Sequence, residues 1–389
     1  MSFLPGFGRR RNPRAVIVGG GYAGLAALIT LRRKQPKASL VLIDPEAEHL
    51  KITHLHETVR RPLGEFLVPY RTLSQRFGFR HIRASAAVDE QNLRDWQRRK
   101  QLTIAGETLR FDYLVIATGA APIKPGRPGA GYDLDSFRRS EGRMIVKDFL
   151  QQSKPPGRTV TVVGGGASGI QFLFELNELF KDWRDRHGLR LHLRLVHSKA
   201  QPLDRFPEGF GRYVAARMEE EQIEYVGGCH YLGREDDAIV LQDHEDGGIR
   251  TFTSHVNLLF LGRQPRPCLL TTNAFGQVKA DGETLEHIFA AGDCAHLRGL
   301  GSNQQSAQVA VRKGKLIARN LLRHFGPIPL LEPYWYREPG YFVSLGEKDG
   351  VGCLGPSWNV VTGLPALAIK EAVEAQFDLL LRGIDTYLL

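Results

Sequence analysis

Residues 14–24 read RAVIVGGGYAG. The apolar run in this stretch is long enough for one buried strand, and the small and aliphatic residues that follow Gly24 predict a helix packed against that strand. A second apolar run, Leu40–Ile43, ends at Asp44, 20 residues after Gly24. Strand, glycine turn, helix, second strand and acid in this register predict a dinucleotide-binding βαβ unit.

Each residue of the turn has a physical role in such a unit. Gly19 permits the tight turn, Gly21 lets the backbone approach a pyrophosphate, and Gly24 lets helix and strand pack closely. The phosphates then lie at the helix N-terminus, whose free N–H groups favour anions. An acid at the end of the second strand accepts hydrogen bonds from a ribose. The predicted cofactor-binding residues here are Gly19, Gly21, Tyr22, Ala23, Gly24 and Asp44.

The same unit occurs a second time. Residues 159–169 read TVTVVGGGASG, a helix is predicted as far as about His187, and residues 189–196 form the next predicted strand. Two dinucleotide sites in one chain imply hydride transfer between a nicotinamide and a flavin. The predicted contact residues of the second turn are Gly164, Gly166, Ser168 and Gly169.

The residues at the predicted ribose-binding position of the second unit differ from those of the first unit. Val196 is followed by His197 and Lys199, with Arg205 further along, and no acid stands where Asp44 stands in the first unit. Because such an acid selects NADH, its absence predicts a several-fold preference for NADPH, with His197, Lys199 and Arg205 attracting the 2′-phosphate. The alternative is a vestigial site that binds neither cofactor well.

Composition narrows the class of protein. A chain of 389 residues with 42% hydrophobic residues predicts two or three domains with buried cores. The four scattered cysteines and the lack of a secretory signal favour a reducing, cytoplasmic setting, either free or at the inner face of a membrane. The net charge of +10 is diffuse; it is compatible with an anionic lipid surface or a soluble basic enzyme, and we predict no nucleic-acid partner.

Several other segments carry local predictions. Three histidines, His49, His54 and His56, do not share a helical face, so no metal site is predicted. Residues 63–83 are arginine-rich and predicted to be helical, and a short strand is predicted at residues 86–88, where Val88 is a candidate cofactor contact.

Three further segments carry a resemblance to a known family. Residues 111–119 (FDYLVIATG), 288–295 (IFAAGDCA) and 306–310 (SAQVA) are similar to flavin-contacting segments of the pyridine nucleotide–disulfide oxidoreductase superfamily. Within it the chain resembles type II NADH dehydrogenases and apoptosis-inducing-factor-like NAD(P)H:quinone reductases. The resemblance implies that Asp293 accepts hydrogen bonds from a flavin ribityl chain. The other flavin contacts that it implies are Ala117, Thr118, Gly119, Gly292 and Ala307.

The resemblance also implies the architecture. It is an α/β fold with two Rossmann-like dinucleotide-binding domains of glutathione-reductase type, the second inserted in the first, plus a small C-terminal α+β domain. Residues 1–125 and 270–328 would bind FAD, residues 126–269 would bind NAD(P)H, and residues 329–389 would cover the flavin.

The chain departs from relatives at several positions. No two cysteines have the spacing that disulfide reductases need, and only Cys294 and Cys353 lie where a sulfide:quinone reductase could use them. Gln171 stands where type II dehydrogenases carry a glutamate, and Arg312–Lys313 replace a pair of glutamines of the quinone pocket. No catalytic residue is assigned; Gln171 and Gln308 are the candidates.

These features predict an FAD-dependent oxidoreductase that passes a hydride from NAD(P)H to a quinone-like acceptor. The alternatives are a flavin-bearing redox sensor, a ferredoxin or rubredoxin reductase, and a sulfide:quinone reductase. A C-terminal helix carries an apolar stripe that would contact a membrane, the body of the protein or the second copy in a homodimer. The stripe comprises Ile369, Val373, Phe377, Leu380 and Ile384.

Overall fold

A computed structural model describes residues 12–124, 131–139, 142–151, 158–187 and 191–387. Most of the basic N-terminal tail and residues 126–130 of the Pro- and Gly-rich linker lie outside these ranges. Arg14, which closes the tail, begins the first strand and pairs with Asp112 at 2.9 Å.

The described residues form the following elements. The strands are β1 Arg14–Val18, β2 Ser39–Ile43, β3 Glu48–Leu50, β4 Leu67–Pro69, β5 Arg80–Ile82, β6 Gln101–Ile104, β7 Glu107–Arg110, β8 Tyr113–Ile116, β9 Ala120–Pro122, β10 Tyr132–Asp133, β11 Arg158–Val163, β12 Leu191–Val196, β13 Glu224–Val226, β14 Cys229–Glu235, β15 Ala238–Asp243, β16 Ile249–Thr253, β17 Val256–Leu259, β18 Arg263–Pro265, β19 Leu270–Thr272, β20 Gln277–Ala280, β21 Glu283–Ala290, β22 Ala295–Leu297, β23 Gly340–Ser344, β24 Gly350–Leu354 and β25 Val360–Thr362. The α-helices are α1 Tyr22–Lys34, α2 Tyr70–Phe77, α3 Glu90–Arg99, α4 Leu134–Arg139, α5 Gly142–Gln151, α6 Ala167–His187, α7 Glu208–Glu220, α8 Ala307–Phe325 and α9 Leu364–Leu381, and the 3₁₀ helices are Ile52–Val59 and Leu63–Phe66.

The largest sheet joins two distant parts of the chain. Its order is β22-β19-β20-β21-β8-β1-β2-β5, and β1 lies between β2 and β8 in parallel register. Strand β21 adds to β8 in parallel as well. The near-continuous apolar sequence of β1 and β8 is expected of parallel strands that are covered on both faces.

A second sheet is formed by the residues between these parts. Its order is β10-β17-β11-β12-β13, and every pair in it is parallel. Strand β11 lies between β12 and β17, as β1 lies between β2 and β8. Strands β14–β16 form a separate antiparallel sheet at its edge. The carboxyl ends of β1 and β11 therefore each open into a glycine turn at a crevice, which is the usual ligand position in such sheets.

The last part of the chain closes this crevice. Strands β23–β25 form an antiparallel sheet, and α9 packs against it. The apolar stripe of α9 is divided between two environments: Phe377 and Leu380 are buried, whereas Ile384 lies beyond the helix end and is exposed. No helix within the described ranges is both long and apolar enough to cross a membrane.

Two local predictions are wrong. Residues 63–83 do not form one helix, because Pro69 ends β4 before α2 and Gly78 ends α2 in a left-handed conformation with φ +59°. Residues 86–88 are not a strand; this stretch has no regular structure, and Val88 is buried.

Helices α1 and α8 pack against each other with their backbones in direct contact. A Cβ atom on Gly314 would lie 2.2 Å from the carbonyl oxygen of Ala23. A Cβ atom on Gly292 would lie 3.0 Å from the Ala23 Cβ. The first turn of α1 is therefore packed tightly against both α8 and the loop after β21.

We predict that Gly314→Ala destabilises the protein by about 1–3 kcal/mol, because the added methyl group overlaps backbone atoms that cannot move independently. In an open helix the same change would stabilise by ~1 kcal/mol. Denaturant unfolding measures the difference. Gly64→Ala is the control, since a Cβ there has no atom within 4 Å. Equal stability of wild type and Gly314→Ala would show that the two helices can separate at no cost.

Candidate functional site

The first glycine turn is built by backbone contacts. Gly19 has φ +104°, and a Cβ atom there would lie 2.2 Å from the carbonyl oxygen of Ala117. A Cβ on Gly24 would lie 1.9 Å from the Gly19 carbonyl oxygen. Strand β8, the turn and α1 can approach this closely only because both residues are glycine.

The third glycine of this turn faces open space. Gly21 is the N-cap of α1, and a Cβ on it would have no atom within 4 Å. The first turn of α1 contains no acidic residue, and no side chain caps it. Because the first N–H groups of a helix have no partner within the helix, this end is suited to an anion such as a pyrophosphate.

Asp44 holds the turn from the end of β2. Its Oδ2 accepts from the backbone N–H of Gly20 at 2.6 Å, and its Oδ1 accepts from that of Glu46 at 2.9 Å. Burial raises the pKa of Asp44, while these two hydrogen bonds oppose the rise. The carboxylate is therefore fixed at the cavity wall, and its remaining lone pairs are available to accept further hydrogen bonds.

Asp293 lies between the partly buried Arg263 and the buried Lys313. The Arg263 guanidinium is 3.5 Å from its carboxylate. The ammonium of Lys313, which is only 1% exposed, donates to the Ala295 carbonyl at 2.7 Å. Burial raises the pKa of Asp293, and the charges of Arg263 and Lys313 oppose this. Burial lowers the pKa of Lys313 to about 8, against the attraction of Asp293.

Arg312 and Lys313, which stand where relatives carry a pair of glutamines, face different surroundings. Lys313 points under the Gly292–Asp293 turn and does not line the cavity, because successive helical residues point in different directions. Arg312 does line it, with its guanidinium 5.2 Å from the ring centres of both Tyr336 and Tyr387.

One cavity of about 1320 Å³ connects these features. Its volume exceeds the ~300–1,000 Å³ of an ordinary small-molecule site. The predicted site residues that line it are Gly19, Gly21, Tyr22, Ala23, Asp44, Val88, Ala117, Thr118, Gly119, Ser168, Gln171, Arg205, Gly292, Asp293, Ala307 and Gln308. Those that do not line it are Gly24, Gly164, Gly166, Gly169, His197 and Lys199.

The second glycine turn repeats the first with a different partner. A Cβ on Gly169 would lie 1.8 Å from the Gly164 carbonyl oxygen. The N–H of Gly165 donates to His197 Nδ1 at 3.1 Å, as that of Gly20 donates to Asp44. His197 therefore carries its proton on Nε2, which lies 3.1 Å from Asp204 Oδ1.

The prediction that the second unit has no carboxylate near its ribose-binding position is thus wrong. The chain after β12 folds back, with the Leu203 N–H donating to the Gly165 carbonyl at 2.8 Å, and brings Asp204 to His197. Both ring nitrogens of His197 are then used within the protein. Arg205 points into the central cavity beside Ser168, and Lys199 is exposed.

The far end of the cavity is bounded by helices α8 and α9. Gln308 Nε2 donates to the Val373 carbonyl at 3.4 Å, and Ile369 and Phe377 line the wall beside it. Gln171 donates to Ser344 Oγ at 3.0 Å. The apolar stripe of α9 is in large part the wall of the cavity.

Two polar residues of this cavity, Tyr70 and Arg263, were not singled out in the sequence, and the contacts of His49 are visible only in the structure. Tyr70 donates its hydroxyl proton to the Gly20 carbonyl at 2.8 Å, and His49 Nδ1 lies 3.0 Å from the same oxygen. The other ring nitrogen of His49 is buried without a hydrogen-bond partner among the described residues. One feature of the sequence could have identified Arg263 as a site residue. It follows β17, the strand that corresponds to β8 in the second unit.

Sulfur and metal chemistry receive no support from the side chains. None of the four cysteines lines the cavity, and all four are free thiols. Cys294 and Cys353 are both buried in apolar clusters. Within the described ranges no group of three or more potential ligands could hold a metal ion, and the three neighbouring histidines face different partners.

Comparisons with known proteins agree with this geometry. Residues 13–314 match the pyridine nucleotide-disulphide oxidoreductase family. A type II NADH:quinone oxidoreductase of Staphylococcus aureus is 21% identical over 400 residues, which cover 95% of this chain and 96% of that protein.

Two solved structures share the fold. NDH2 of Plasmodium falciparum in complex with NADH aligns with a TM-score of 0.79 and 13% identity, covering 94% of each chain. The sulfide:quinone oxidoreductase of Aquifex aeolicus aligns with a TM-score of 0.78 and 17% identity, covering 96% of this chain and 92% of the other.

Proposed function

The chain belongs to the pyridine nucleotide–disulphide oxidoreductase family, and on that premise we propose that it oxidises NAD(P)H and reduces a quinone-like acceptor with the help of bound FAD. The observation that carries this proposal is the single cavity that extends from the first glycine turn past the start of α6 to α9. The Staphylococcus aureus relative is by its name an NADH:quinone oxidoreductase, and the NDH2 structure contains bound NADH.

FAD fits the residues around the first turn. Gly21 leaves the space for a pyrophosphate at the start of α1, Asp44 is available to a ribose, and Asp293 to a ribityl hydroxyl. The buried, unpartnered nitrogen of His49 faces the same cavity and can accept one further hydrogen bond. On this proposal residues 1–125 and 270–328 hold FAD and residues 126–269 hold the nicotinamide cofactor.

Different residues of the cavity would serve the nicotinamide cofactor and the acceptor. A bound flavin supplies the exchange of two electrons between nicotinamide and acceptor. Ser168 and Arg205 would orient the phosphates of the nicotinamide cofactor at the start of α6. Gln308 and the apolar wall of α9 would orient the acceptor and exclude water from it. No cysteine enters this scheme.

An apolar acceptor suits the rim of the cavity. Leu354 lines the cavity and is 48% exposed; Trp358 and Leu364, which follow it in the chain, are 81% and 63% exposed. Exposed large apolar side chains at a cavity mouth are typical of a surface that admits an apolar ligand or meets a lipid surface. Peripheral contact of this rim with a membrane is part of the same proposal.

The proposal predicts rapid flavin reduction and multiple turnovers. Anaerobic mixing of the purified protein with NADH or NADPH should bleach the flavin absorbance, and a soluble quinone should restore it at the rate of steady-state turnover. A redox sensor gives a different result, namely reduction by NAD(P)H without turnover of any quinone, and that outcome would overturn the proposal.

We predict that Asp293→Ala weakens flavin binding about tenfold to a hundredfold, because a hydrogen bond to a buried charged group contributes ~1.5–3 kcal/mol. The flavin absorbance kept after gel filtration measures this. Asp237→Ala, which removes a 74% exposed carboxylate, is the control and should keep its flavin. Denatured wild-type protein should release all flavin on filtration; retained flavin would indicate a covalent link.

We also predict that Asp204 favours NADH, since its carboxylate repels a 2′-phosphate and accepts from a 2′-hydroxyl. Asp204 is 30% exposed, so the effect is limited to ~1 kcal/mol. In Asp204→Asn the ratio of kcat/KM for NADPH to that for NADH should rise about fivefold. Glu208→Gln removes a 73% exposed carboxylate nearby and should leave the ratio unchanged. An equal ratio in wild type and Asp204→Asn would exclude Asp204 from cofactor selection.

A further inference from the structure

A cluster of charged side chains lies at the acceptor end of the cavity, and the proposed function does not use it. His54 and Glu57 come from the 3₁₀ helix Ile52–Val59, and Lys370 and Glu374 come from α9. His54, Lys370 and Glu374 line the cavity, whereas Glu57 does not. The cluster therefore extends from the cavity surface into the protein behind it.

His54 connects the two carboxylates of this cluster. Its Nδ1 lies 2.6 Å from Glu57 Oε1, and its Nε2 lies 3.3 Å from Glu374 Oε2. The ring stacks on Phe66, with ring centres 5.5 Å apart and an interplanar angle of 10°. Stacking fixes the ring so that each nitrogen faces one carboxylate.

The outer end of the cluster reaches the surface. The Arg61 guanidinium lies 2.6 Å from Glu57 Oε2, and the Arg61 side chain is 50% exposed. At the inner end, the Lys370 ammonium lies 3.0 Å from Glu374 Oε2, and the Lys370 side chain is only 6% exposed. An ionisable path therefore runs from solvent through Glu57 and His54 to Glu374.

The charges around His54 favour its protonated form. Burial alone would lower the pKa of His54, but the hydrogen bond that its ring donates to Glu57 and the charge of Glu374 outweigh both burial and the repulsion of Lys370, and raise it. Burial raises the pKa of Glu374, against the charges of Lys370 and His54. Burial would raise the pKa of Glu57, but the hydrogen bond and the charge of His54 lower it to about 2, so Glu374 is the carboxylate that takes a proton more readily.

The other two histidines at the cavity differ in this respect. Burial lowers the pKa of His49 to about 4 and that of His56 to about 3, so both are neutral at physiological pH. His56 lies 3.1 Å from Ser344 Oγ, a neutral partner. Of the three, only His54 is placed to carry a proton.

Quinone reduction requires such a proton. In the overall reaction NADH + H⁺ + quinone → NAD⁺ + quinol, the C–H bond of the nicotinamide breaks and two O–H bonds form. The hydride supplies both electrons and one proton, and the second proton comes from solvent. An acceptor enclosed by α8 and α9 needs a path for that proton.

We propose that His54 conducts this solvent proton from Glu57 to Glu374, which delivers it to the acceptor. His54 takes a proton on Nδ1, which faces Glu57, and releases the one on Nε2 to Glu374. The ring is restored when the proton left on Nδ1 moves to Nε2 through ring deprotonation and reprotonation. His54 is a positioning and relay residue, and Glu374 is the group that meets the acceptor. This inference rests on the proposed function.

The test compares an acceptor that takes up protons with one that does not. In His54→Gln, steady-state turnover with a soluble quinone should fall about tenfold to a hundredfold. Turnover with ferricyanide, which takes electrons and no proton, should change less than about twofold. Glu57→Gln cuts the path at its solvent end, away from the cavity, and should give the same split. His192→Gln, at an exposed position on β12, is the control.

Each outcome of this comparison supports or overturns the proton relay. Equal losses with both acceptors would mean that His54 only supports the structure, and an unchanged quinone rate would exclude the relay. Failure of wild type itself to reduce any quinone would instead overturn the proposed function. The quinone rate of wild type should fall as pH rises through the His54 pKa, and this alkaline limb should vanish in His54→Gln.

A readout without turnover checks the titration. Histidine ring NMR signals, assigned by their loss in His54→Gln, should show a His54 pKa above the ordinary value in wild type. The pKa should fall in Glu57→Gln, which removes one of the two carboxylates. A His54 pKa that is the same in both proteins would overturn the relay.

Discussion

The structure depends on the close packing of backbone around Ala23 at the start of α1. Gly24 lies against the Gly19 carbonyl, Gly314 of α8 lies against the Ala23 carbonyl, and Gly292 lies against the Ala23 side chain. Three glycines far apart in the chain thus fix one helix turn. This turn carries the unpaired N–H groups that face the cavity, and so the anion site is as rigid as the core beneath it.

The charged side chains at the cavity wall stand in groups of opposite charge rather than alone. Asp293 lies between Arg263 and Lys313, and His54 lies between Glu57 and Glu374. A buried charge without a partner costs several kcal/mol, and the opposite charges within each set offset part of that cost. The first set is suited to hold a polar ligand, and the second to move a proton.

The two βαβ units show the same geometry with different chemistry. The second glycine of each turn donates its N–H to the residue at the end of the neighbouring strand, Asp44 in the first unit and His197 in the second. The turn requires only an atom that accepts this hydrogen bond. The negative charge is a separate matter, and in the second unit it comes from Asp204.

The sequence by itself determined both glycine turns with their strands and helices, and most of the site residues predicted from it line the cavity. These features were readable because one of the contacts that demand glycine, between Gly19 and Gly24, lies within five residues and gives a local motif, and because parallel strands are apolar throughout. Only the tertiary structure decided that Asp204 returns to His197, that Lys313 points under Asp293, and that α9 brings Glu374 to His54. Such contacts depend on how a turn folds back or on which way one helical residue faces. A linear pattern of residue types carries no information on either, because neighbours in space here come from distant parts of the chain.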